Sequence, residues 1–259
     1  MTESDADSFY DDLAAHYDLI FEDWDASMER QGKAIMALLT RYLPGCAGPI
    51  RLVDAAAGIG TQSLPLAKLG CRVSSRDVSA KSVERLRREA SDRALAIEAA
   101  LADMRTVNLT IEEPVDAVLA FDNAVPHLLS DGEILQAFRS FFQALRPGGV
   151  CLLSVRDYGE IKRGADAIHP YGIRWRGGIR CLPLQAWRWL DSDHYEMAFY
   201  LIVDDPTAPR VMRTTARYYA VEIPLLLDLL TRAGFADCQR LDNVFYQPVL
   251  VGRRPEAAG

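Results

Sequence analysis

The chain has 259 residues, a formal net charge of -7 and 49% hydrophobic residues. That is enough apolar material for one large core, and the acidic balance argues against a nucleic-acid partner, because affinity for a phosphate backbone comes from clustered Lys and Arg. No apolar run reaches the roughly 18 to 20 residues that cross a bilayer, and the acidic start MTESDADSF is neither a signal nor a transit peptide. The expectation is a cytoplasmic protein acting on a small molecule, without a membrane or nucleic-acid partner. Five scattered cysteines without a C-x-x-C pair read as packed thiols, and four histidines (His16, His127, His169, His194) lie in no metal-ligand spacing, so no metal is expected.

In chain order, helical patterns cover Ser8 to Ile20 and Ser27 to Tyr42, followed by a short apolar strand from Arg51 to Asp54. That strand runs into Asp54-Ala-Ala-Ala-Gly58-Ile-Gly60 and a helix from Thr61 to Leu69. Glycines in such a turn let backbone N–H groups approach a ligand, and the helix that follows points its positive end at the same place. Two glycines serve packing as readily, so the motif by itself is not decisive. A strand over Arg72 to Ser75 leads to Asp77, then come a helix from Ser79 to Arg93 and strands over Ala96 to Leu101 and Ala117 to Phe121. The helix from Glu133 to Leu145 carries Ile134, Phe138, Phe141 and Leu145 on one stripe, is ended by Pro147-Gly-Gly, and precedes a strand over Val150 to Val155.

Beyond Asp157 the pattern changes to three long aromatic and β-branched stretches, Arg180 to Leu190, Tyr195 to Val203 and Val211 to Val221, with turn residues between them. A helix from Pro224 to Ala233 and strands near Asp237 to Leu241 and Pro248 to Arg253 close the chain. The fold expected is α/β: a Rossmann-like, doubly wound, seven-stranded, mostly parallel sheet with an inserted antiparallel lid sheet. Residues 1–259 read as a single domain, with N-terminal covering helices (1–45), a cofactor-binding core (50–157), a substrate lid (158–221) and a closing unit (222–259).

The acids choose the cofactor. Asp77 lies near the roughly 20-residue offset at which doubly wound folds place a carboxylate on a ribose diol. Its alternative reading is a helix N-cap, for which Ser79 is better placed. The third glycine of a dinucleotide fingerprint is replaced by Ser63. Asp54, inside the first turn, would repel a pyrophosphate but suits a ligand carrying an ammonium or a sulfonium. S-adenosyl-L-methionine, which becomes S-adenosyl-L-homocysteine, has both and no phosphate.

The order of these motifs resembles class I S-adenosylmethionine-dependent methyltransferases along almost the whole chain: DAAAGIG, SSRDVS, Ala102-Asp-Met, FDNAVPHL from Phe121 and LRPGGVCLLSVRDY from Leu145. The last two blocks are most similar to glycine and sarcosine N-methyltransferases and their small-molecule relatives. The resemblance implies N-methylation of an amino acid or small amine by direct in-line transfer. Other readings are N- or O-methylation of a heterocyclic natural-product intermediate, or a non-catalytic protein that binds the cofactor. A nicotinamide-dependent oxidoreductase would share the βαβ start but lacks the third glycine and a recognisable hydride site.

On this resemblance the cofactor is held by Tyr17, Arg30, Asp54, Ala55, Ala56, Gly58, Gly60, Asp77, Val78, Asp103, Met104, Phe121 and Asp122. Arg30 is matched to its carboxylate, and Asp103 with Met104 to the adenine. Tyr17, Asn123, His127 and Arg156 are the catalytic candidates, and Tyr10, Arg156, Tyr158, Trp175 and Tyr246 the substrate-binding ones. The arginine of Val-Arg156-Asp-Tyr matches one that holds glycine's carboxylate in the family, and a guanidinium grips such a group bidentately. The alternatives are a salt bridge between Arg156 and Asp157, a structural role for His127, core packing for Met104 and exposed positions for Arg174, Arg176 and Arg180. A homo-oligomer formed through the N-terminal helix or the lid sheet is compatible with the sequence.

Overall fold

The computed structural model describes residues 5–256. Its core is a seven-stranded sheet built from β1 (Arg51–Asp54), β2 (Arg72–Asp77), β3 (Ile97–Leu101), β4 (Val115–Ala120) and β5 (Leu145–Ser154), closed by β11 (Ala236–Leu241) and β12 (Val249–Arg253). The spatial order is β11-β12-β5-β4-β1-β2-β3. Pairs within β1 to β5 are parallel, whereas β12 runs antiparallel to both β5 and β11. The order reverses between β1 and β4, and ligands of open α/β sheets bind outside the carboxyl ends of the strands at such a point.

Alternation along the buried strands explains how both faces are covered. Val118, Ala120, Cys151 and Leu153 join the core under α5 (Asp131–Ala144) and α6 (Ile223–Arg232), while Ala117, Leu119, Val150 and Leu152 join the core under α2 (Trp24–Tyr42). α3 (Ser63–Lys68) and α4 (Ala80–Asp92) follow β1 and β2. Caps fix their starts: Asp23, Ser79 and Ser130 accept from the backbone N–H of Ala26, Ser82 and Glu133. Ser79 rather than Asp77 therefore caps α4. α5 ends at Ala144, earlier than the sequence pattern suggests, because Leu145 already pairs with Val115 across the sheet.

The lid is larger than the sequence pattern indicates. β8 (Ile179–Trp189), β9 (His194–Asp204) and β10 (Arg210–Tyr219) are the three long strands, and the short β6 (Ala167–Pro170) and β7 (Arg174–Arg176) also pair with β8. Both short strands are too brief and too polar to show a period. The inner lid face (Trp187, Tyr195, Met197, Phe199, Tyr218) packs on Phe9 and Leu13 of α1 (Asp5–Leu13) and on Leu19. Each such fully buried side chain contributes about 1.5–3 kcal/mol, so α1 belongs energetically to the lid.

The sequence pattern predicts one helix from Ser8 to Ile20, but the chain leaves the helix after Leu13 and re-forms a short 3-10 turn at Tyr17–Ile20. The carbonyls of Ala14 and Ala15 accept from Arg85 (2.6 Å) and Arg176 (3.0 Å). Guanidinium groups thus satisfy the orphan acceptors of the helix end, and the break swings Tyr17 across the switch point.

Candidate active site

Three adjoining spaces meet at Asp122. A groove at the carboxyl ends of β1, β2 and β4 is lined by Ala55, Ala56, Gly58, Asp77, Val78, Met104 and Phe121, with Tyr10, Tyr17 and His127 over it. An inner chamber between groove and lid is walled by Tyr10, Tyr17, Arg156, Tyr171, Gln185 and Tyr218. An outer vestibule is bordered by Phe21, Arg30, Arg156, Tyr171, Phe245 and Tyr246. Asp122 lines all three.

In the groove, Gly58 adopts φ +52° and a Cβ there would meet open space, so only the backbone dihedral demands glycine. Its N–H donates to Asp77 Oδ2 at 2.8 Å, and Ser79 N–H donates to Oδ1 at 2.9 Å, making the glycine turn and the acid one hydrogen-bonded unit. Gly60 has a different task. At φ +100° its Cβ would lie 2.9 Å from Leu64 Cγ and 3.2 Å from Leu86 Cγ, so it permits close helix packing and is not among the residues that line the groove.

Asp54 is buried, its Oδ2 accepting from Ser63 Oγ at 2.7 Å, while Oδ1 has no hydrogen-bond partner. Burial pushes its carboxyl up to about 7 and that of Asp77 up to about 6. Buried acids raised in this way are stabilised as carboxylates by an arriving cation. An orphaned carboxylate oxygen next to the Ala55–Ala57 loop and a second acid in the groove wall therefore fit a cationic nucleoside.

Around the inner chamber the side chains are fixed by one another. Tyr17 and Tyr246 donate to the two oxygens of Asp122 at 2.8 and 2.5 Å, and Tyr10 shares a 2.9 Å hydrogen bond with His127 Nε2. Burial, with Arg156 adding to it, brings the His127 pKa down to about 3, so the ring is neutral. Arg156 lies over the rings of Trp187 (5.1 Å) and Tyr218 (5.9 Å), and its Nη1 donates to Tyr195 OH at 3.3 Å. Among the described residues it has no carboxylate partner, and Asp157 pairs instead with Arg240 at 2.5 Å.

Several sequence-derived candidates stand elsewhere. Trp175 is 68% exposed and borders none of the three spaces; it pairs with Arg180 on β8 one position out of phase with buried Cys181, which sets it on the outer lid face. Asp103 is turned to Arg105, which also reaches Glu133, leaving Met104 alone at the groove wall. Arg30 opens on the vestibule, and Asn123 and Tyr158 are buried behind the site. Asn123 Oδ1 accepts from Arg156 N–H at 2.9 Å and its Nδ2 donates to Tyr158 OH at 2.8 Å, so both position Arg156 from behind. Sequence reasoning missed Tyr171, Gln185 and Tyr218. Gln185, a polar residue among the otherwise apolar inward positions Cys181, Pro183 and Trp187 of its strand, is the available signal.

Arg174 and Arg176 are not free on the surface. Arg174 Nε donates to Phe21 O at 2.6 Å, and Arg176 pairs with Asp18 at 2.5 Å. Asp18 also pairs with Arg85 of α4 at 2.9 Å, so one carboxylate ties lid and core to the strap that carries Tyr17. The groove and inner chamber, both lined by Tyr17 of the strap, hold about 70 and 40 Å³, and the vestibule about 680 Å³. Asp18→Ala is expected to raise the cofactor dissociation rate by about tenfold, with Asp18→Glu restoring part of it; stopped-flow binding reads this, and an unchanged rate would mean that the latch does not hold the strap.

Residues 52–149 match the family of methyltransferase domains. Over that stretch the chain is similar to a methyltransferase domain. Among curated proteins, the glycine/sarcosine N-methyltransferase of Halorhodospira halochloris is 30% identical over 171 residues, covering 66% of this chain and 60% of the relative. The cypemycin N-terminal methyltransferase of a Streptomyces species is 30% identical over 162 residues, 62% of each chain. The matched region thus spans about three fifths of these curated relatives. Among solved structures, Streptomyces venezuelae DesVI superposes with a TM-score of 0.76 at 21% identity, covering 94% of this chain and 98% of its own. The sugar N-methyltransferase KedS8 from Streptoalloteichus sp. gives 0.76 at 19%, covering 93% of each. The fold is therefore the Rossmann-like α/β fold shared with these structures, seven-stranded with a separate antiparallel sheet.

Proposed function

We propose that this protein uses S-adenosyl-L-methionine to N-methylate a small amine that also carries a carboxylate, an amino acid in the simplest case. The observation that carries this reading is the pair Arg156 and Asp122, a cation without a carboxylate partner and a carboxylate, lining one chamber that abuts the groove. A zwitterion is the complementary ligand. The glycine/sarcosine relative named above points the same way.

Asp54, Asp77 and the Ala55–Gly58 turn would hold the cofactor, with Met104 and Val78 against its base. Bound there, its sulfonium supplies an electrophilic methyl group. The protein's own part is then to orient a neutral amine, exclude water and take away one proton. Asp122 is the acceptor within the chamber wall. Titration calorimetry with S-adenosylmethionine and with NAD, followed by an S-adenosylhomocysteine assay on glycine, sarcosine and amines lacking a carboxylate, tests the reading. Failure to bind S-adenosylmethionine, or turnover confined to acceptors without a carboxylate, overturns it.

Asp77 in the groove wall and the buried Asp54 that precedes Ala55 also set a pH dependence. Both carboxyls are raised from an ordinary value of 3.8 in the folded protein, so they favour the folded state most below that pH and lose this contribution as the pH climbs through about 6 and 7. A cationic cofactor favours their ionised forms and so expels protons on binding. Affinity is expected to be about 20-fold weaker at pH 6 than at pH 8. Calorimetry in buffers of different ionisation heat checks it; no net proton release at pH 6.5 would exclude these acids as the cofactor's partners.

A further inference from the structure

We propose that the vestibule is the side-chain subsite of the acceptor, and that the preferred acceptor is an α-amino acid with an aromatic side chain, not glycine. The inference rests on the amino-acid reading above. The inner chamber holds about 40 Å³, a few times the ~10–15 Å³ that one water needs, so it takes the head group of an amino acid and not the body of a larger molecule. The vestibule shares Asp122, Arg156 and Tyr171 with that chamber and holds about 680 Å³, within the range of ~300–1,000 Å³ typical of pockets that bury whole ligands. A two-carbon amino acid leaves it empty.

Its far wall is built in advance. Tyr246 is fixed at one end by its hydroxyl on Asp122 (2.5 Å) and along its face by the Phe245 ring (4.5 Å between centroids), yet it is 57% exposed. Phe245 is in turn held edge-on by buried Phe121 at 5.1 Å. Opposite stand Tyr171, whose N–H donates to Pro183 O at 3.0 Å and whose hydroxyl accepts from Gln185 at 2.5 Å, and Phe21, whose carbonyl Arg174 holds. A rigid, half-open set of rings loses little entropy on covering an apolar group, and pairs of rings add about 0.5–1.5 kcal/mol beyond area. With carboxylate on Arg156 and amine toward Asp122, the third substituent of the α-carbon is the one that faces the vestibule.

The test uses the full chain loaded with S-adenosylhomocysteine. Calorimetry is expected to give phenylalanine a Kd at least about tenfold below that of glycine, and the ratio of kcat/KM for phenylalanine over glycine is expected to exceed ten. Phe245→Leu, a change that keeps an apolar wall, should lower both ratios by severalfold. Glycine bound and methylated as well as phenylalanine overturns the inference while leaving the amino-acid reading intact. Turnover on neither, with a carboxylate-free amine methylated, sinks the amino-acid reading itself, and the side-chain subsite with it.

Discussion

Arg156→Ala is expected to lower kcat/KM for a carboxylate-bearing amine by about 100- to 1,000-fold, mostly through KM, while the thermal midpoint holds or rises. The size follows from what the guanidinium meets. Stacked on Trp187 and Tyr218 and bonded only to a phenol, it is shielded and already oriented; removing one partner of a desolvated charge pair in such a place costs about 2–5 kcal/mol of binding. The unusual half of the expectation is stability. A half-buried cation without a carboxylate partner is kept at a cost to the fold, and its loss leaves no stranded acid behind, because Asp157 has its own arginine. Arg156→Lys should recover little, since an ammonium offers neither the planar fork nor the same stacking. The check is steady-state kinetics beside a melting curve. An equal fall for acceptors with and without a carboxylate would show that Arg156 holds the pocket's shape and not the acid.

The groove was readable in the sequence because its parts are local. Asp54, Gly58 and Asp77 lie at strand ends within 24 positions, and backbone rules connect each to the same turn. Roles within that turn were less readable: Gly60 and Gly58 look alike in sequence, and only the distance to Leu64 and Leu86 separates the packing glycine from the one that lines the groove. Arg156 was legible from its place after β5, but what surrounds it was not. Tyr171 comes from the loop after β6, Gln185 from β8 and Tyr218 from β10, and they meet only because a five-stranded sheet folds over α1. Trp175 shows the converse error. An aromatic residue between two arginines looks like a binding element, yet a strand sends alternate side chains to opposite faces, and it is Arg174 and Arg176 that turn inward to hold the strap.

Asp122→Asn is expected to reduce kcat/KM by about 100-fold or more with little change in stability. Asp122 and Asn123 are consecutive residues at φ +58° and +63°, a left-handed pair that most side chains resist and that Asp and Asn tolerate best. The backbone pays this strain to aim one carboxylate at three spaces, and Ser154 holds the turn by accepting from Asn123 N–H through its carbonyl and from Asp122 N–H through its hydroxyl. Asparagine keeps the dihedral and the shape and removes only the charge and one acceptor. Because both oxygens are occupied by phenols, the acid reaches an incoming amine along its remaining lone pairs with its orientation already set. Tyr17→Phe and Tyr246→Phe should therefore cost about tenfold each in the native background and much less when Asp122 is already Asn. Additive losses across that cycle would mean that the phenols act on the ligand directly and that Asp122 is not the group they serve.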